Sequence, residues 1–221
     1  MTKSIKSAIV IGATGLVGKA LIELLQQNPN CEKITAIVRR ESVDFKHLNK
    51  VEQFVIEDFL LLNDQDVSGY SHAFSCLGST IKKAGSKEAF YNIDFEMNAH
   101  FADLLEMTGT HFVLVSALGA NAGSPIFYNK VKGELEQYIQ KLDLYRVSII
   151  RPSLLLGERQ EQRTLEDVMQ KFYQKVSHLV PNSFKYKPVT AEQVAHTMVD
   201  VAQTQTEKFE IYDNLRIQNA K

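Results

Sequence analysis

Three residues of this chain are spaced for acid–base work on a carbonyl group: Ser116, Tyr128 and Lys132. Tyr128 and Lys132 are four apart, so on a helix they share one face. A free phenol has a pKa of about 10 and exchanges protons poorly at neutral pH. A cation beside it favours the phenolate and lowers that value. Such a tyrosine can hand a proton to a carbonyl oxygen while hydride reaches the carbon. A serine hydroxyl at the carboxyl end of a strand can hold the same oxygen. The lysine can also bond a nicotinamide ribose. Tyr-x-x-x-Lys is a weak signal alone. Its weight comes from following, in order, a glycine loop, an arginine pair and a serine at a strand end.

The glycine loop is Gly12-Ala13-Thr14-Gly15-Leu16-Val17-Gly18. It lies between an apolar run and a helical pattern, where the first glycine permits a sharp turn. Backbone N–H groups can then approach a pyrophosphate, with the positive end of the next helix aimed at it. Gly12, Thr14, Gly15, Leu16, Val17 and Gly18 are the expected phosphate-binding residues. The Lys-Ser/Thr of a nucleotide-hydrolase loop is absent. About 20 residues on, such folds usually place an acid against a ribose 2′-hydroxyl. Here Arg39 and Arg40 stand there. Arginine grips a 2′-phosphate with two donors, so the expected cofactor is NADP(H) rather than NAD(H). Glu41 is the competing signal, because its carboxylate could bond the ribose instead.

Positioning these groups takes alternating strands and helices. Residues 5–11, 33–38, 51–56, 71–77, 111–116 and 145–150 read as strands. Helical patterns follow over residues 16–25, 86–108 and 128–142. This rhythm predicts an α/β protein, a Rossmann-like doubly wound parallel sheet covered on both faces. The whole chain, 1–221, reads as one dinucleotide-binding domain. After Arg151 the rhythm changes: helices are expected over 165–180 and from Ala191 to about Thr204, capped by Thr190, then a short strand over 209–212. Residues 152–221 read as a small cap on the carboxyl edge of the sheet, where such folds bind ligands.

Composition narrows the partners. Lys and Arg total 25 against 26 Asp and Glu, so no bulk field draws in nucleic acid or an anionic membrane. No apolar run approaches the ~18 residues of a spanning helix. The first residues do not read as a signal peptide. Cys31 and Cys76 lack metal-ligand spacing and read as reduced thiols. No metal site is expected, and the expected compartment is the cytoplasm.

The chain resembles the atypical short-chain dehydrogenase/reductases. More narrowly, it is similar to the Tat-interacting-protein-type oxidoreductase family and its bacterial relatives. The resemblance rests on Gly12-x-x-Gly15-x-x-Gly18, Val38-Arg39-Arg40, Cys76-Leu77-Gly78-Ser79-Thr80, Tyr128-Asn129-Lys130-Val131-Lys132-Gly133-Glu134 and the run from Arg151-Pro152-Ser153 to Arg159-Gln160-Glu161. It implies an NADP(H)-dependent oxidoreductase with a Ser116, Tyr128, Lys132 site acting on a small carbonyl compound. It also implies that Asp58 bonds the adenine amino group with the Phe59 backbone beside it. Leu77 and Gly78 would lie along the cofactor ribose, and Pro152 and Ser153 near the nicotinamide amide. Ala117 stands where many relatives carry a second serine. Asn92 and Asn98 are candidates for a relay asparagine, but neither aligns cleanly.

Arg159 and Arg163 could bind an anionic substrate. Two alternatives stand beside the reductase. One is a non-catalytic NADP(H) sensor that reports to a protein partner. The other is a nucleotide-sugar epimerase or dehydratase, which needs a larger substrate domain than the residues after Arg151 supply.

Overall fold

The computed structural model describes residues 4–156 and 185–220. Its main sheet contains β1 (Ser7–Ile11), β2 (Lys33–Val38), β3 (Val51–Val55), β4 (His72–Ser75), β5 (His111–Val115), β6 (Arg146–Ile150) and β9 (Phe209–Tyr212). The seven strands run in the order β3-β2-β1-β4-β5-β6-β9, and every pair is parallel. A separate two-residue pairing joins β7 (Leu155–Leu156) to β8 (Val189–Thr190).

Side chains alternate between the two faces along each strand. In β1, Ala8 and Val10 enter one core layer while Ile9 and Ile11 enter the other. The first layer is covered by α1 (Leu16–Gln27) and α7 (Ala191–Thr204) through Leu21, Leu25, Val194, Met198 and Val201. The second is covered by α5 (Met97–Asp103) and α6 (Phe127–Ile139) through Phe101, Ala102, Leu135 and Ile139. Four shorter helices complete the described chain: α2 (Asp64–Val67), α3 (Ile81–Ala84), α4 (Lys87–Tyr91) and α8 (Asn214–Gln218). The order reverses between β1 and β4, and ligands of open α/β sheets bind outside such a reversal.

Two expectations change here. The single helix over 86–108 is α4, a π-helical turn over Asn92–Glu96, and α5. Phe90, Asp94 and Asn98 are all fully buried. Two steps of four residues overshoot two α-helical turns of about 3.6 residues each, and the wider π turn takes up the difference. Asn98 pins that turn, donating from Nδ2 to the Ile93 carbonyl at 2.9 Å. The helix ends at Asp103, short of 108, and left-handed backbone follows at Met107 and Gly109, with φ of 58° and 73°.

The second change concerns the tail. It does not serve wholly as a cap, because α7 packs against α1 and β9 extends the main sheet beside β6. The expected helix over 165–180, together with Arg159 and Arg163, lies outside the described residues.

Candidate active site

Gly12 follows β1 directly, with a φ of 72°. A Cβ there would lie 2.4 Å from the Cys76 carbonyl carbon and the Leu77 nitrogen. The ends of β1 and β4 therefore meet closely enough to exclude any side chain. A Cβ on Gly18 would lie 2.3 Å from the Gly12 oxygen. Gly15 starts α1 without a side-chain cap, and no acid occupies the first turn. The N–H groups of Leu16, Val17 and Gly18 thus open a 12-residue helix with no side chain competing for them. Thr14 and Gly15 are exposed at the loop tip. This cradle fits a dinucleotide pyrophosphate. Gly18→Ala is expected to cost about 1–3 kcal/mol, the usual penalty of overpacking. Thermal unfolding checks this, and an unchanged midpoint would contradict the tight loop.

Tyr128 and Lys132 lie on the first turns of α6. The Tyr128 ring packs against Phe90 of α4, with centroids 5.5 Å apart. Lys132 is buried, and its Nζ lies 2.8 Å from Asp94 Oδ1. Burial pulls the ammonium pKa down, but Asp94, then Tyr128 and Glu136, outweigh it and hold the value above the usual lysine range. The other Asp94 oxygen accepts from the Ser79 N–H at 2.8 Å. Asp94 was not among the expected site residues. It lies four residues from both the buried Phe90 and the buried Asn98, within the π turn.

Ser116 follows β5 directly, but its hydroxyl is already engaged. It donates to Glu136 Oε1 at 2.5 Å. Arg151 Nε donates to the same oxygen at 3.0 Å, and its Nη2 donates to Oε2. A carboxylate only accepts, so the Ser116 hydroxyl proton is directed to Glu136 in this arrangement. The expected donor role differs from this arrangement, in which the hydroxyl donates to Glu136 and its oxygen is left as an acceptor. Glu136 extends the spacing of four from Tyr128 through Lys132, so the sequence carried a signal for it.

The remaining expected residues are distributed as follows. Arg39 and Arg40 are exposed just past β2. Among the described residues no carboxylate forms an ion pair with either. Glu41, their competitor, lies 3.6 Å from Lys46. Asp58 is exposed and caps the turn at Phe59–Leu61, accepting from the Leu60 N–H at 3.0 Å. Phe59 is buried in the second core layer. Leu77 and Gly78 border the glycine loop and the Lys132–Asp94 pair. The Pro152 carbonyl accepts from the Leu118 N–H at 2.8 Å. Ser153 is used structurally: its N–H donates to Asn214 at 2.8 Å and its hydroxyl to the Lys187 carbonyl at 2.6 Å. Cys31 and Cys76 are both free thiols. Burial pushes the Cys76 thiol well above its ordinary value.

Residues 7–101 match the family described as semialdehyde dehydrogenase, NAD binding domain. Protein FMP52-1, mitochondrial, of Scheffersomyces stipitis is 36% identical over 204 residues, covering 91% of this chain and 90% of that protein. The chain belongs to the FMP52/HTATIP2 family of atypical short-chain dehydrogenase/reductases. Protein HTATIP2 of Rattus norvegicus is 38% identical over 173 residues, covering 76% of this chain and 70% of its own.

Among solved structures, MoeE5 in complex with UDP-glucuronic acid and NAD aligns with a TM-score of 0.69. Its identity is 12%, over 93% of this chain and 75% of that one. The human epimerase family protein SDR39U1 with NADPH aligns with a TM-score of 0.63. Its identity is 14%, over 94% and 74%. These likenesses show a Rossmann-like fold. A cytoplasmic location is overturned by the fungal members, whose names place them in mitochondria. No helix among the described residues is long and apolar enough to cross a membrane.

Proposed function

We propose that the chain is an NADP(H)-dependent oxidoreductase that reduces a small carbonyl compound. The observation that carries this reading is the buried Lys132, held charged one helical turn from Tyr128 and against Gly78. The nicotinamide, when bound, supplies the hydride. The N–H groups opening α1 bind the pyrophosphate, and Arg39 with Arg40 bind the 2′-phosphate. Lys132 has three donors. One is taken by Asp94, leaving two for ribose hydroxyls and the Tyr128 oxygen. Tyr128 gives its proton to the carbonyl oxygen, aided by the neighbouring cation. Ser116 accepts from the resulting hydroxyl and steadies it.

Cofactor preference tests the reading. NADPH is expected to bind about ten- to a hundredfold tighter than NADH, the worth of hydrogen bonds between charged partners. Replacing both arginines, Arg39→Ala with Arg40→Ala, should remove that gap while leaving NADH affinity unchanged. Equal affinities in the unmodified protein would sink the NADP(H) assignment.

A further inference from the structure

We propose that Asp94 is a positioning residue for Lys132: its carboxylate, delivered by the π-helical turn, fixes the ammonium that faces the cofactor ribose and Tyr128. This rests on the NADP(H) reading above.

The geometry requires such a partner. The Lys132 and Asp94 side chains are 4% and 0% exposed. An ammonium so buried without a counter-charge does not stay charged; buried lysines can fall to pKa values of about 5–6. Asp94 also does more than neutralise. Oδ1 lies 2.8 Å from the ammonium while Oδ2 holds the Ser79 N–H at 2.8 Å. One carboxylate thus ties α6 to the segment after β4, the stretch expected along the ribose. Gly78 sits where these parts meet. A Cβ there would lie 3.2 Å from Asp94 Oδ1 and 3.3 Å from Lys132 Nζ. Any side chain at position 78 would crowd the pair.

The π turn is maintained by its own contacts. Asn98 donates to the Ile93 carbonyl and, through Oδ1, accepts the Ser75 hydroxyl. Asp94 itself lies within the π turn, between the buried Phe90 and Asn98. Single π turns inside helices occur frequently at functional sites.

The groups acting on Lys132 come from two sources. The π turn supplies Asp94, and α6 itself supplies Tyr128 and Glu136. Glu136 is already matched by Arg151 from the end of β6. The segment after β4 contributes the Gly78 and Ser79 backbone, which carries no charge. Asp94 is therefore the carboxylate free to balance the ammonium.

Removing its charge should expose Lys132 to titration. Wild-type Lys132 has a raised pKa and stays protonated through about pH 9, so NADPH affinity should be flat from about pH 7 to 9. In Asp94→Asn the lysine pKa falls, and its charge is lost as pH rises through that lower value. NADPH affinity in the variant should then weaken progressively over the same window. At about pH 8 the loss should be about tenfold, one charged hydrogen bond. A double-mutant cycle separates positioning from general damage. Lys132→Met should weaken NADPH by a similar factor, and the double variant should bind no worse than Lys132→Met alone.

Unchanged, pH-flat affinity in Asp94→Asn overturns the proposal. So does a double variant whose losses multiply. Should Asp94→Asn fail to fold, Lys132→Met and the double variant carry the test. The double variant holds no unpaired buried charge, equal affinities are expected, and a further tenfold loss overturns the role. A wild-type protein that does not bind NADPH removes the NADP(H) reading and this inference with it. Wild-type binding with an unaffected Asp94→Asn removes the inference alone.

Discussion

Tyr128→Phe is expected to lower NADPH-dependent turnover about 10²–10⁴-fold, the usual contribution of a positioned proton donor. The same change should leave NADPH affinity within about twofold, a difference of under ~0.5 kcal/mol. The reason is geometric. The phenyl ring keeps its contact with Phe90, so the start of α6 stays anchored. Lys132 keeps Asp94, so the cation remains in place. Only the hydroxyl, and with it the proton, disappears. Parallel steady-state kinetics and cofactor titration separate the two effects. Full turnover in the variant would remove Tyr128 from the chemistry. Equal losses of affinity and turnover would mean that the substitution had disturbed the helix instead.

The largest stability effect is expected at Glu136. Its side chain is 6% exposed and accepts from Ser116 and twice from Arg151. Glu136→Ala strands the guanidinium and the hydroxyl together. Breaking a buried pair from one side costs about 3–5 kcal/mol. Arg151 keeps 27% exposure, through a cleft of about 320 Å³ that it lines with Gly133, Gln137 and Phe209. Water there softens the loss, so about 3 kcal/mol is expected, or ~6–12 °C in the unfolding midpoint. Thermal unfolding followed by circular dichroism measures it. Glu136→Gln, which keeps one acceptor and the side-chain volume, should recover part of the fall. A midpoint within about 2 °C of wild type would show that the pair is not a structural tie.

The parallel sheet was legible because its strands are buried on both faces. The run Lys33–Val38 contains five consecutive buried residues, four of them apolar. The start of α7 was equally plain, since Thr190 and Gln193 exchange bonds as a capping box. The glycine loop was legible for a related reason. Its spacing reflects backbone contacts that no side chain tolerates, as the approach of Gly12 to Cys76 demonstrates.

What escaped was set by tertiary contacts. A π turn changes the helical period by a fraction of a residue, and the apolar pattern of residues 86–108 does not register it. Asp94 was not singled out in the sequence, although it lies against the Lys132 ammonium. The engagement of the Ser116 hydroxyl was not legible because its partner lies twenty residues on, at Glu136. The C-terminal residues read as a cap because a short strand gives no sign of which sheet it will join. Pairing of Phe209–Tyr212 with β6 decides that.

The most direct test of the proposed chemistry is transfer of deuterium from NADPH labelled at the nicotinamide C4 into a pool of small aldehydes and ketones. Product alcohols are read by mass spectrometry for the wild-type protein and for Tyr128→Phe. The expected result is label on carbon with the wild type and next to none with the variant, both proteins binding NADPH alike. Tight NADPH binding by the wild type with no transfer to any carbonyl would contradict an oxidoreductase and leave a cofactor-binding protein in its place.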